Sequence, residues 1–457
     1  MKRFVFIFFF IVTASSWAQH DFHNTEKKVV SSTHLTKLVD YFKKGHLSGQ
    51  IRNFTMVTAN QGALSNYHAN AIGASIHFET LPLKGFSIGL NGLFVYRLFS
   101  NDLLEADEIS GSTSNYELQL FDVEHKGNYN DLDRLEELYL KYEHKNLTLF
   151  AGKMEIETPL VNMHDGRMKP KVFSGLKGDL KLKHTEFTTA LFNKASPRST
   201  THWYKIEEAI GLYNNGTLPD GSAAHYHEHL SSRGLGILGI ENNKVKNTTV
   251  SIWNYYLDNI SNTSMIKADI DLDSSFYGGF IYLNQTPINK GGANESMHTY
   301  YNSEEQTNAF SARLGYHFNW ADIQVNATYV TASGKFIFPR EFGVDPFYTF
   351  ISRSQIEGLG NSSALGITGI KRIKSFEINC HWNRMLTTSN LRLNKYNLPS
   401  YDQFNLDLTY HFHKHLEGLD LRFLYVYRRA IDRDLSLDQM HNTVNFNQLN
   451  LIANFNF

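Results

Sequence analysis

From residue 46 onward the chain alternates between apolar and polar positions. Phe86, Ile88, Leu90, Phe94, Tyr96 and Leu98 share one side of a two-residue period, against Ser87, Gly89, Asn91 and Arg97. Phe310, Ala312, Leu314, Tyr316 and Phe318 oppose Ser311, Arg313, Gly315 and His317, and Leu419, Leu421, Phe423, Tyr425 and Tyr427 oppose Asp420, Arg422 and Arg428. Successive side chains of a strand point to opposite faces, so this period predicts half-apolar β-strands. About eighteen such segments recur, each of roughly ten residues, the length of a tilted membrane strand. Their centres are expected near residues 53, 74, 92, 139, 150, 177, 190, 236, 252, 267, 280, 313, 326, 367, 380, 408, 423 and 451. The segments near 53, 190, 236 and 252 alternate poorly, which leaves their facing open.

The connections alternate as well. Short ones at 81–85, 144–146, 241–244, 318–322 and 371–375 interleave with long ones at 101–132, 195–231, 285–306, 333–361, 387–402 and 430–444. Brief connections near 61–66 and 258–263 also belong to the long side. A soluble sandwich has no reason to place its long loops on every second connection, whereas an outer-membrane barrel joins tight periplasmic turns to longer external loops. The fold class predicted is therefore all-β: a transmembrane, antiparallel, up-and-down β-barrel over residues 46–457. A strand edge cannot be hydrated in hydrocarbon, so such a sheet must close on itself.

The last strand shows what closure requires. Leu449, Leu451, Ala453, Phe455 and Phe457 form an apolar row, while Gln448, Asn450, Asn454 and Asn456 form a polar one that Ile452 interrupts. The first row is expected to meet lipid and the second a wet lumen. The terminal Phe457 also resembles the signal read by the outer-membrane insertion machinery, a predicted partner alongside membrane lipid.

The N-terminus adds export. Lys2 and Arg3, the run FVFIFFFIV, and Ser16-Trp17-Ala18 make a secretory signal with cleavage expected after Ala18. The apolar run is too short for a spanning helix, which needs about 20 residues. Residues 19–45 do not alternate, and Leu35, Leu38, Val39 and Phe42 predict a short periplasmic helix. One cysteine, Cys380, allows no internal disulfide. A formal net charge of -1 speaks against nucleic-acid binding.

The chemistry lies in the charges on the polar faces. Arg97, Lys177, Lys181, Arg313, Arg422 and Arg428 fall there, as do Glu137, Lys141, Glu143, Asp269 and Asp271. On the lipid face a basic side chain would cost up to about 2–4 kcal/mol at midplane. Alternation therefore assigns these groups to the lumen, where such groups set the charge of the solute admitted. The six basic residues are the expected pore-lining track. His225, His227 and His229 occur at alternate positions in an external loop, and the sequence leaves open whether they hold a metal. The 21 histidines are scattered along the chain, and neither an enzyme nor a cofactor is expected.

Two stretches, SGQIRNFTM…NAIGASIHFETLPLKGFSIGLNG (48–92) and LYLKYEHKNLTLFAGKMEIETPLVNMHDGRMKPKVFSG (138–175), resemble OprD-type outer-membrane porins. The second carries Thr158, Pro159, Leu160, Asp165, Arg167, Met168, Pro170 and Phe173 in that family's pattern. The resemblance implies an 18-stranded monomeric barrel with inward-folded loops and basic side chains guiding solutes that bear a carboxylate. It implies that 157–170 constricts the pore, with Asp165 and Arg167 near the eyelet and 333–361 as a second constricting loop. The basic residues here are fewer than the family's ladder and are mixed with Glu and Asp, which argues against a strict charge preference. The function expected is passive, partly selective diffusion of small hydrophilic solutes, with amino acids, peptides or carboxylates as candidates. The alternative is a closed barrel acting as an adhesin or binding protein through its long external loops.

Overall fold

A computed structural model describes residues 37–457 apart from Asp165, Ser274 and Arg433. The expected signal peptide and the segment 19–36 lie outside the described residues. A short helix is present at Leu38–Lys43, within the stretch where helical spacing is expected, and it buries none of its side chains.

The strands are β1 His46–Asn60, β2 Tyr67–Glu79, β3 Phe86–Ser100, β4 Arg134–His144, β5 Leu147–Met154, β6 Val172–Lys181 and β7 Thr185–Ser196. A two-residue strand β8, Tyr204–Lys205, follows, and then β9 Leu235–Asn242, β10 Thr248–Leu257, β11 Ser261–Asp271 and β12 Phe276–Pro287. The last seven are β13 Thr307–His317, β14 Asp322–Val330, β15 Ser362–Ile373, β16 Phe376–Leu386, β17 Tyr401–His411, β18 Leu419–Ala430 and β19 Phe446–Asn456. Without β8, eighteen strands pair antiparallel with their chain neighbours, β7 pairs with β9, and β19 pairs with β1. Every predicted centre lies within three residues of an observed strand midpoint.

Closure is made by the residues that the terminal alternation singles out. Ile51 faces Phe455 and Met56 faces Asn450 in the β1–β19 register. Gly49 and Phe457 exchange backbone hydrogen bonds of 2.9 and 3.0 Å, so the last residue is tied into the ring. Both ends of the barrel therefore lie on the side of the short turns.

The outer face is apolar. Leu90, Phe94, Tyr96, Leu176, Leu191, Leu314, Leu365 and Leu451 are all exposed. In water each large side chain so displayed forgoes about 1.5–3 kcal/mol of burial, and only a bilayer makes the arrangement stable. Cross-strand aromatic pairs mark the turn side: Phe86 with Tyr142 at 4.6 Å, Phe276 with Tyr316 at 4.5 Å and Phe376 with Tyr410 at 4.6 Å between ring centroids. They form the girdle that outer-membrane barrels place at the interface.

The inner face is less uniform than the alternation predicts. Toward the long loops it carries Phe54, Met56, Phe192, Ile237, Trp253 and Tyr255, which pack with apolar loop side chains such as Leu120, Phe121, Leu160, Phe336 and Phe338. The loops 101–133, 155–171, 197–234 and 331–361 each place buried side chains in these clusters, giving the external half of the barrel a hydrophobic core of its own. Ile452, the exception in the terminal strand, is buried in this inner packing.

Candidate functional site: a strapped lumen

The loop 331–361 crosses the lumen as a strap. At one end Tyr348 donates from its hydroxyl to Asp269 Oδ1 at 2.7 Å and from its backbone N–H to Ser311 Oγ at 3.1 Å. Gly279 makes this docking feasible, because a Cβ there would lie 2.3 Å from the Tyr348 hydroxyl. Further along, Asn383 donates to the Thr349 carbonyl at 2.9 Å, and Gln403 and Asn405 donate to the Ser352 carbonyl at 2.8 and 3.0 Å. Arg353, at φ +74°, donates to Gln448 at 2.6 Å and Asn450 at 3.1 Å. The inward amides of β16 and β17 thus act as a ladder for backbone that has no strand partner, which a loop inside a membrane protein requires, and those of β19 hold the Arg353 side chain.

The loop 155–171 meets this strap. Asn162 Nδ2 donates to the Val344 carbonyl and Val344 N–H donates to Asn162 Oδ1, both at 3.2 Å. A Cβ on Gly343 would stand 1.9 Å from the Leu160 carbonyl, so glycine alone permits the contact. Glu341 accepts from the N–H groups of Gly211 and Tyr213 at 3.0 Å each and joins the loop 197–234 to the strap. Burial raises the pKa of Glu341, and it raises that of Asp345 on the strap to about 7, against hydrogen bonds from Ile356 and Glu357 that lower it. Burial, helped by nearby Arg134, lowers Lys169 in the loop 155–171 to about 7.

On the turn side of the strap lies a cavity of about 490 Å³. Its roof is Phe347–Ser352 and its wall comes from β1 and the strands β13 to β19. Four guanidiniums line it, Arg52, Arg313, Arg372 and Arg422, with three carboxylates, Glu377, Asp407 and Asp420, and with His164, His381 and His411. The charges are largely matched. Arg422 holds both oxygens of Asp407 at 2.8 and 2.5 Å, Arg372 meets Glu377 at 2.9 Å, and Arg313 meets Asp269 at 2.8 Å. Arg313 also lies 4.5 Å over the Tyr348 ring. Arg52 donates to Asn454 at 2.7 Å and to the Arg167 carbonyl at 2.6 Å, linking the wall to the loop 155–171.

The residues expected from the sequence are spread over this architecture. Arg313 and Arg422 line the cavity. Arg428 is buried, donates to the Arg353 and Thr443 carbonyls and to Gln403, and so anchors the strap. Lys177 pairs with Asp179 at 2.7 Å on β6, outside the cavity wall. Lys181 sits at the turn-side rim, mostly exposed, 3.3 Å from Glu186. Arg97 lies near the external end of β3, over the Tyr129 ring at 4.1 Å. Arg167 is buried in the loop 155–171 at φ +54°, while Asp165 lies outside the described residues. His225, His227 and His229 do not converge: the His227 ring faces the Ile210 carbonyl at 2.9 Å, and His229 stacks on His298.

Arg52, Arg372, His381 and Asp407 were not singled out by the sequence. Arg52 belongs to the weakly alternating β1, and Arg372 falls in the stretch 371–375 that reads as a turn although β15 runs on to Ile373, whereas His381 and Asp407 stand on polar faces that the period marks without ranking them. Arg134 and Glu136 escaped for another reason. The β3–β4 register shifts beside Asn91, so Glu136 and Glu137 both point inward and the parity of β4 reverses.

No protein-family model matches the sequence, and no curated protein matches it. Solved structures do. OccK9 (OpdG) of Pseudomonas aeruginosa superposes with a TM-score of 0.70 at 12% identity, covering 91% of this chain and 99% of that one. The chain has the fold of the OprD/Occ porins. OccK8 (OprE) of the same organism gives a TM-score of 0.70 at 15% identity with the same coverages. Pseudomonas aeruginosa OpdK, solved with vanillate, gives 0.68 at 13% identity, again over 91% and 99%. With its apolar belt and aromatic girdle, this OprD/Occ fold is that of an integral outer-membrane barrel.

Proposed function

We propose that the chain is an outer-membrane porin through which small hydrophilic solutes diffuse passively and with partial selectivity. The observation that carries this reading is the polar cavity of about 490 Å³ beneath a strap made of loop rather than of a folded plug. Solutes descend past the junction of the loops 155–171 and 331–361 and meet Arg313, Arg422, Arg52 and Arg372. Guanidiniums suit carboxylates because their planar donors match two oxygens at once. The likeness to OpdK, solved with the carboxylate vanillate, favours the same solute class. Three carboxylates line the cavity and Asp269 stands beside Arg313, so the four guanidiniums are balanced, which supports partial rather than strict charge selectivity. Arg97, Lys177 and Lys181 then act as weaker parts of the track, Arg428 as the anchor of the strap, and Asp165 with Arg167 as part of the eyelet. Phe457 serves as the handle for the insertion machinery.

Liposome swelling with a panel of amino acids, sugars and carboxylates tests the proposal. Carboxylates should enter faster than neutral sugars of equal size. If planar bilayers with the reconstituted chain conduct no better than bare ones, the adhesin or binding reading takes its place.

A further inference from the structure

The loops 101–133 and 197–234 meet at the external end through two histidines and two carboxylates that the transport reading does not use. Asp122, His125 and His202 offer ligand atoms that all lie within 4.8 Å of one another. His125 Nδ1 is 3.5 Å from Asp122 Oδ2 and 3.6 Å from Glu124 Oε2, and His202 Nδ1 is 4.0 Å from Glu124 Oε2. These separations are long for hydrogen bonds. They are close to the spacing of about 3.3 Å between two ligands of a tetrahedral ion with bonds of about 2.0–2.1 Å. Two imidazoles with carboxylate oxygens suit a borderline divalent transition metal and not Ca²⁺ or Mg²⁺.

The surroundings hold the cluster in place. Asp122 is buried, and its Oδ1 accepts the N–H groups of Glu124 and His125 at 3.0 and 3.2 Å, leaving Oδ2 turned toward His125. Thr201 Oγ1 donates to that Oδ2 at 3.1 Å and lies 3.1 Å from His202 Nδ1. The Tyr204 hydroxyl donates to Glu124. The two loops are joined beside the cluster by Val123 N–H on the Ser199 carbonyl at 2.9 Å and Ser199 Oγ on the Gln119 carbonyl at 2.8 Å. Both histidines are more than half exposed, so an ion can reach them from outside. Partners around the ligands of this kind are what orients a metal site.

We propose that Asp122, His125 and His202, with Glu124 beside them, bind a Zn²⁺-class ion that clamps the loop 101–133 to the loop 197–234 at the external mouth. The test uses the full-length chain in detergent, titrated with Zn²⁺ by calorimetry and with Co²⁺ by visible absorption. One saturable site with the intense bands of four-coordinate Co²⁺ is expected. His125→Ala and His202→Ala should each weaken Zn²⁺ binding by at least roughly 10-fold, and Tyr204→Phe by roughly 10-fold, the lower end for a group supporting a ligand. His225→Ala should leave it unchanged, which controls for the other histidines among the 21 in the chain. Equal Zn²⁺ affinity in wild type, His125→Ala and His202→Ala would overturn the proposal, as would Co²⁺ spectra of the hydrated ion alone. Retained electrophoretic mobility of the folded barrel in each variant separates loss of the site from loss of the fold.

Discussion

Asn162 and Val344 hold each other by two hydrogen bonds of 3.2 Å, the side-chain amide of one matching the backbone of the other. This pair joins the two inward loops, and a third bond, from Asn162 N–H to the Phe342 carbonyl at 3.3 Å, lies beside it. Asn162→Ala leaves a buried N–H and C=O without that partner, a cost of about 1–3 kcal/mol each in such settings. Single-channel recordings should show a larger and noisier conductance for the variant. Gly343→Ala, which drives a methyl against the Leu160 carbonyl, should act in the same direction. Unaltered traces from both would mean that this junction does not limit flow.

Charge selectivity should follow Arg422. Replacing it with Ala removes a cation and leaves Asp407 in the cavity wall without its bidentate partner. At a distance of about 8 Å and an effective dielectric constant of about 40, one unit charge is worth roughly 1 kcal/mol, about a fivefold change in preference. Reversal potentials in a salt gradient should move toward cations for Arg422→Ala and for Arg313→Ala. Potentials that stay at the wild-type value would remove both residues from the conducting path.

The strap should be better ordered in mild acid. Asp345 has its pKa raised by burial from 3.8 to about 7, with Glu357 adding to the rise and Arg340 opposing it. The folded loop therefore holds a proton that the unfolded chain releases, and this contribution is full below about pH 4 and lost as pH rises through about 7. Amide exchange across 331–361 should be slower at pH 5.5 than at pH 8 after correction for intrinsic rates. Asp345→Asn should shrink the difference, with Glu341, also raised by burial, keeping a remainder that Glu341→Gln removes; an unchanged pH slope in Asp345→Asn assigns the effect elsewhere.

Arg134 and Glu136 make a buried pair at 2.8 Å, and the same guanidinium donates to the carbonyls of Pro170 and Pro197 at 2.7 Å each. One side chain thus ties β4 to the loops 155–171 and 197–234. Arg134→Ala should cost about 3–5 kcal/mol because it strands a buried carboxylate. Heat-modifiable gel mobility should show unfolding at a lower temperature, with partial recovery in Arg134→Met/Glu136→Leu. No recovery would place the loss in the loop carbonyls instead.

Phe457 closes the ring through Gly49 and presents its side chain outward. Deleting it removes two closure hydrogen bonds and the proposed assembly handle. Folded barrel in the membrane fraction should fall severalfold while expression is unchanged, and quantitative blotting of folded and unfolded bands reads the effect.

Much of the fold is written in the sequence, because a barrel wall separates two solvents and each strand must satisfy both. The two-residue period located every barrel strand, and alternating loop lengths gave the up-and-down order. The period also sent Arg313 and Arg422 inward, since lipid would not take them. Weak alternation near 53, 190, 236 and 252 carried information of a different kind. In those segments Phe54 and Met56, Ala190 and Phe192, Leu235 and Ile237, and Trp253 and Tyr255 point inward and pack on folded loops. Both faces of these strands meet apolar surroundings, so the contrast between faces fades.

Pairing partners and loop paths were decided by tertiary structure alone. Nothing local in the sequence says that Arg428 will hold the Arg353 carbonyl, that Tyr348 will rest over Gly279, or that His125 and His202 will meet from separate loops. A bulge of one residue at Glu136 was enough to reverse the parity of Arg134. The sequence by itself determined which face of a regularly alternating strand meets oil, because that choice is made residue by residue. The strap, the cavity and the charges that meet there depend on contacts between distant segments, whose energies exist only once the ring has closed.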